Sequence, residues 1–163
     1  MKQKRPSRAF GARSRSQRGV MLIEALVAIA IFSFAILGIV GLQATAIRTV
    51  SEADYRAKAS FFATQIVGQM WVDRFNVPTY ALNAGGNPCA TGANSASNTA
   101  VTNWLSGLTD LTKQGALPGA ANLKQQITVG ANNTVIVTIC WKSPQEADNK
   151  PPHNFTLTTQ IQG

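Results

Sequence analysis

One carboxylate, Glu24, interrupts the apolar run from Val20 to Leu42, in which every other side chain is uncharged. A charged Asp or Glu near a bilayer centre costs at least about 2.5 kcal/mol, so a retained one calls for a partner. Two cysteines, Cys89 and Cys140, lie well beyond that run. Their separation is neither that of a redox Cys-x-x-Cys pair nor that of a metal site. An even count on the exported side of an apolar segment favours a disulfide, two buried free thiols being the alternative. His153, the only histidine, follows Pro151-Pro152 and has no patterned nucleophile or acid around it, so it reads as an exposed loop residue rather than a catalyst. The carboxylates Asp54, Asp73, Asp110, Glu146 and Asp148 are scattered among different elements, and no Gly-rich phosphate loop or Cys/His metal cluster occurs. These residues offer the pairing of an awkward charge and the closing of a cross-link. The expectation is an assembly or binding role without enzymatic activity, cofactor or metal.

Charge is distributed unevenly. The 163 residues hold 15 Lys+Arg against 7 Asp+Glu. Lys2, Lys4, Arg5, Arg8, Arg13, Arg15 and Arg18 all precede Gly19, and no acid accompanies them. The rest of the chain is almost neutral, which argues against a folded nucleic-acid-binding domain, since its basic surface would have to persist outside the tail. One apolar run and about one domain of other sequence also exclude a multidomain enzyme and a polytopic membrane protein.

The elements that must position these residues follow from periodicity. As a helix, Val20–Leu42 is about 35 Å long at 1.5 Å per residue, enough to cross a bilayer. The basic block before it sets an N-in, C-out orientation, with the carboxyl-terminal part exported. No proline occurs from Val20 to Phe75, so one helix is expected to reach about Phe75. Gly38 and Gly41 are its weak points. In the helix beyond the apolar run, Val50, Ala53, Ala57, Phe61, Thr64, Val67, Trp71 and Phe75 recur at three- or four-residue steps and predict the stripe that a sheet covers. Residues 76–124 read as a connecting region, rich in Gly, Asn, Ser and Ala through Thr99. It carries a short helix with Val101, Trp104, Leu105, Leu108 and Leu111 on one face, Ser97 or Asn98 as its cap, and Gly115 through Gly119 as its end. Residues 125–163 read as an antiparallel sheet. Gln126–Val129 and Thr134–Trp141 flank a Gly130-Ala131-Asn132-Asn133 turn, and Phe155–Ile161 alternates as a third strand. The predicted class is α+β, a long amino-terminal helix packed on a small antiparallel sheet. A Cys89–Cys140 bridge would tie the connecting region to the hairpin.

Three processing schemes suit a basic, then apolar, amino terminus. An ordinary secretory signal could be cut after Ala46 in Ala44-Thr45-Ala46, releasing a secreted binding domain or enzyme, but the apolar stretch is long for one. An uncleaved anchor leaves Glu24 unexplained, and no Arg-Arg pair supports a twin-arginine route. The third scheme rests on Arg18-Gly19-Val20-Met21-Leu22-Ile23-Glu24, which resembles the prepilin signal of the type IV pilin-like family. Its longer pattern, Gly19 to Ala28 followed by Leu37-Gly38-Ile39-Val40-Gly41-Leu42-Gln43, is similar to that of the PilV minor-pilin family, the type IV pilus modification proteins. So are Ala63-Thr64-Gln65-Ile66-Val67-Gly68-Gln69-Met70, Leu117-Pro118-Gly119 and Thr138-Ile139-Cys140-Trp141. Val20 stands where many members have Phe, and Gly41 where many major pilins have Pro.

The resemblance implies a type IV pilin-like fold. It also implies a leader of residues 1–19 removed by prepilin peptidase between Gly19 and Val20, with N-methylation of Val20, then a membrane-spanning assembly helix over residues 20–42 and a periplasmic domain over 43–163, of which 43–75 are amphipathic helix. Glu24 then occupies the family's fifth mature position, where it meets the Val20 amine of a neighbouring subunit. The implied protein is inserted in the inner membrane. It joins other minor and major pilins in assembling or priming a surface pilus, supports a tip adhesin and binds no nucleic acid. Type II secretion pseudopilins share this amino terminus and are the alternative.

Overall fold

The computed structural model describes residues 17–162, in two compact bodies, the first ending at Ile47 and the second beginning at Arg48. Residues 1–16 of the basic leader lie outside the described residues.

Helix α1 runs Gln17–Val72, unbroken at Gly38 and Gly41. In the first body every side chain from Val20 onward is exposed. The most apolar window of α1 has a mean hydropathy of 2.7, so the helix is long and apolar enough to cross a membrane. Hydroxyls do not break this character: Ser33 Oγ donates to the Ile29 carbonyl at 2.7 Å and Thr45 Oγ1 to that of Gly41 at 3.2 Å. Each returns its proton to the helix's own backbone.

In the second body the stripe of α1 has the expected period and a different phase. Ala59, Phe62, Ala63, Ile66, Val67 and Met70 are buried, with Tyr55 packed partly against them. Of the expected stripe only Val67 is buried; Phe61 is 64% and Phe75 80% exposed. The cause is the adjacent pairs Phe61-Phe62 and Met70-Trp71, which place apolar side chains on two faces, so that periodicity permits either. The small side chains of Ala59 and Ala63 lie on the face that the core covers. The helix also stops three residues short of Phe75. There the Asn76 N–H donates to the Asp73 carbonyl at 2.9 Å and Asn76 Nδ2 to Asp73 Oδ1 at 2.6 Å, leading into the 3₁₀ turn Val77–Tyr80.

Helix α2, Thr99–Thr109, buries Val101, Trp104, Leu105 and Leu108. Asn98 caps it, its side-chain oxygen accepting from the Ala100 N–H at 2.8 Å. The end falls at Asp110, before Gly115, and Leu111 lies outside the helix, 70% exposed. Asp110 itself ends the helix: its carboxylate accepts from the Thr112 N–H and hydroxyl at 3.0 and 2.7 Å. Those donors hold the Asp110 carboxyl below its usual range. The Trp104 indole N–H donates to the Phe62 carbonyl at 2.9 Å, fixing α2 to the buried face of α1.

Three strands, β1 (Gln126–Val129), β2 (Thr134–Trp141) and β3 (His153–Gln160), form an antiparallel sheet with β2 in the centre. The loop between β1 and β2 works because Asn132 and Asn133 accept positive φ, 55° and 52°. Val135, Val137, Ile139 and Trp141 occupy one face of β2, all buried, and share a core with α1 and α2. The third strand begins two residues earlier than expected, because His153 pairs with Trp141 in register. The chain is thus a long amino-terminal helix, packed in its second body on a small antiparallel sheet.

Candidate functional site

Gly19, Val20 and Glu24 all lie on α1 and are exposed. A side chain at Gly19 would meet nothing within 4 Å. Glycine in a helix interior costs about 1 kcal/mol relative to alanine, so folding of this chain does not explain its presence there. Val20 and Glu24 are four residues apart, hence neighbours on one helix face about 6 Å apart along the axis. Among the described residues Glu24 takes part in no ion pair. The arrangement can accept a cation from outside the chain.

Cys89 and Cys140 are joined, with a Cα–Cα distance of 5.4 Å. The bridge ties the connecting region to β2, as expected. Cys140 is fully buried, and its backbone is held by a residue that periodicity does not mark. Gln125 is also fully buried; its Oε1 accepts from the Cys140 N–H at 2.8 Å and its Nε2 donates to the Cys140 carbonyl at 3.1 Å. Register pairing of β1 with β2 ends at Gln126 and Thr138. The Gln125 amide therefore stands in for the next strand residue, and its Nε2 also donates to the carbonyls of Ala120 and Leu123. Asn94 extends the clamp, accepting from the Gln125 N–H at 2.7 Å and donating to the Leu123 carbonyl at 2.8 Å. Replacing Gln125 with Met keeps most of the volume and removes both bonds to Cys140. Each orphaned buried group costs roughly 1–3 kcal/mol, so thermal unfolding with the disulfide intact should show a clear loss of stability.

The carboxylates named from sequence are each partnered. Asp54 pairs with Lys58 at 2.7 Å, and Asp148 lies 3.9 Å from the Lys142 ammonium. The Tyr80 hydroxyl donates to Asp73 at 3.4 Å; burial, together with that carboxylate, raises the phenol above its usual range. His153 and Glu146 depart from expectation. His153 is the first residue of β3 and half-buried, its ring stacked on Trp141 with centroids 5.7 Å apart. Its Nε2 lies 2.8 Å from Glu146 Oε2 and 3.9 Å from Glu52 Oε2. Register explains the correction, since pairing with Trp141 draws His153 out of the loop and onto the sheet. Glu52 from α1, Glu146 from the β2–β3 loop and His153 from β3 thus converge from positions that no short motif links.

No protein-family model, curated protein or solved structure matches the chain.

Proposed function

We propose that the chain is a minor pilin subunit of the type IV pilin-like class, closest in pattern to the PilV minor pilins, made as a prepilin and assembled through its amino-terminal helix. The observation that carries this reading is a lone carboxylate in the exposed apolar segment of α1 in the first body, with a glycine five positions before it that folding does not require. Cleavage after Gly19 would create an α-amine at Val20, one helical turn from Glu24. In a staggered bundle the amine of one subunit meets the carboxylate of the next, and the apolar side chains of both are covered together.

The second body supplies further support. Val50, Phe61 and Trp71 leave an exposed apolar line along α1 while the sheet covers another face. A subunit that packs its helix twice, once on its own sheet and once on neighbours, accounts for both lines. The bridged, amide-clamped domain fits export to an oxidising compartment. Orientation N-in in the inner membrane, with the domain periplasmic, completes the reading, together with prepilin peptidase and other pilins as partners.

The test is Gly19→Leu. A peptidase that cuts after glycine should leave this variant in the membrane at precursor mass, with its disulfide formed and its fold unchanged. Removal of the leader at the same position in Gly19→Leu as in the unaltered chain would contradict the reading.

A further inference from the structure

Glu52, Glu146 and His153 each offer one ligand atom, and these atoms all lie within 4.8 Å of one another. We infer that the three side chains form a binding site for a divalent transition-metal ion of the zinc type, joining α1 to the β2–β3 loop and the start of β3. Zinc bound tetrahedrally at about 2.0–2.1 Å sets its ligand atoms about 3.3–3.4 Å apart. The existing distances bracket that value: Nε2 of His153 is 2.8 Å from Glu146 Oε2 and 3.9 Å from Glu52 Oε2. With the two glutamate oxygens also within 4.8 Å of one another, rotation of side chains rather than movement of backbone brings the three atoms to that spacing.

The donor set selects the ion. One imidazole and two carboxylates suit zinc and its neighbours, whereas calcium takes six to eight oxygen ligands and these three side chains supply at most four carboxylate oxygens. His153 is held on the face of Trp141, which fixes the ring plane before an ion arrives. A cleft of about 310 Å³, lined by both glutamates with Ser143, Gln145, Arg48 and Lys150, adjoins the triad and leaves room for a fourth ligand. Two carboxylates neutralise the dication, and the cationic Arg48 and Lys150 favour an anionic or water-derived fourth ligand rather than a second metal. The ion would cross-link α1 to the β2–β3 loop and the start of β3, whereas the Cys89–Cys140 bridge ties neither α1 nor β3.

The full chain, purified in detergent on a tag without histidine and stripped with chelator, is titrated with Zn²⁺ alone by calorimetry, and its thermal midpoint is followed in parallel. One equivalent should bind and the midpoint should rise. His153→Ala and Glu52→Gln should each weaken binding by more than tenfold, at least what loss of a supporting partner costs a metal site. Glu52→Gln keeps the size of a half-buried helix side chain, and a cooperative thermal transition of the metal-free protein checks that each variant is folded. Absence of saturable Zn²⁺ binding by the unaltered chain, unchanged affinity in the folded Glu52→Gln protein, or preferential binding of Ca²⁺ would each overturn the assignment.

Discussion

Glu24→Ala should be cleaved and inserted like the unaltered chain yet be missing from assembled fibres. Removing the carboxylate makes the apolar run more compatible with lipid, so insertion has no reason to fail. Assembly differs, because the Val20 amine of a neighbour would then sit uncompensated within an apolar bundle. Breaking a buried pair by deleting one partner costs about 3–5 kcal/mol. At about 1.4 kcal/mol per tenfold change, incorporation should fall by roughly two to four orders of magnitude. The measurement is the amount of variant in sheared surface fibres, together with its cross-linking to other pilin-like subunits. Wild-type incorporation by a correctly processed Glu24→Ala chain would remove the pairing mechanism and leave Glu24 as a carboxylate in the headgroup zone at the cytoplasmic end of the apolar run. Recovery of the unaltered chain from surface fibres also separates a pilus subunit from a secretion pseudopilin.

Loss of the Cys89–Cys140 bridge should have the largest effect on the stability of the domain. The bridge closes a loop with a sequence separation of 51, for which chain-entropy arithmetic gives about 4 kcal/mol. Marginal domains have only about 5–15 kcal/mol in total, so Cys89→Ser or Cys140→Ser should lower the unfolding midpoint steeply while leaving membrane insertion intact. Replacement of Cys140 should be the more damaging, because it also disturbs a fully buried position on the central strand beside the Gln125 amide. Denaturation of each single variant and of the double variant measures this. Equal stability of all three with the unaltered chain would show that the bridge contributes nothing. Alkylation without reductant should label neither cysteine in the folded protein.

What could be read before the structure was whatever depends on local chemistry. The β1–β2 hairpin appears at its expected residues because Gly130-Ala131-Asn132-Asn133 carries its own turn preference, and Asn98 caps α2 because its side chain reaches only two residues on. The disulfide was legible from the even count of cysteines and the expectation of export. The buried face of α1 was not, since Phe61-Phe62 and Met70-Trp71 offer two apolar lines and only the tertiary partner chooses between them. Gln125 was equally silent: its value lies in Cys140, Ala120 and Leu123, and a glutamine beside a strand usually faces water. His153 beside two prolines reads as loop until the register with Trp141 is known. At the amino terminus the reverse holds. The spacing of Gly19 and Glu24 was plain in the sequence, and the fold adds that, among the described residues, no close packing accounts for the glycine and no ion pair for the carboxylate.

The most direct test of the prepilin reading is intact mass together with amino-terminal sequencing of the chain recovered from the membrane. The expected result is a mature protein that begins at Val20, carries one added methyl group on its amine and retains the Cys89–Cys140 bridge. A chain that begins at Met1, or at Ile47 after a secretory cut, would contradict it.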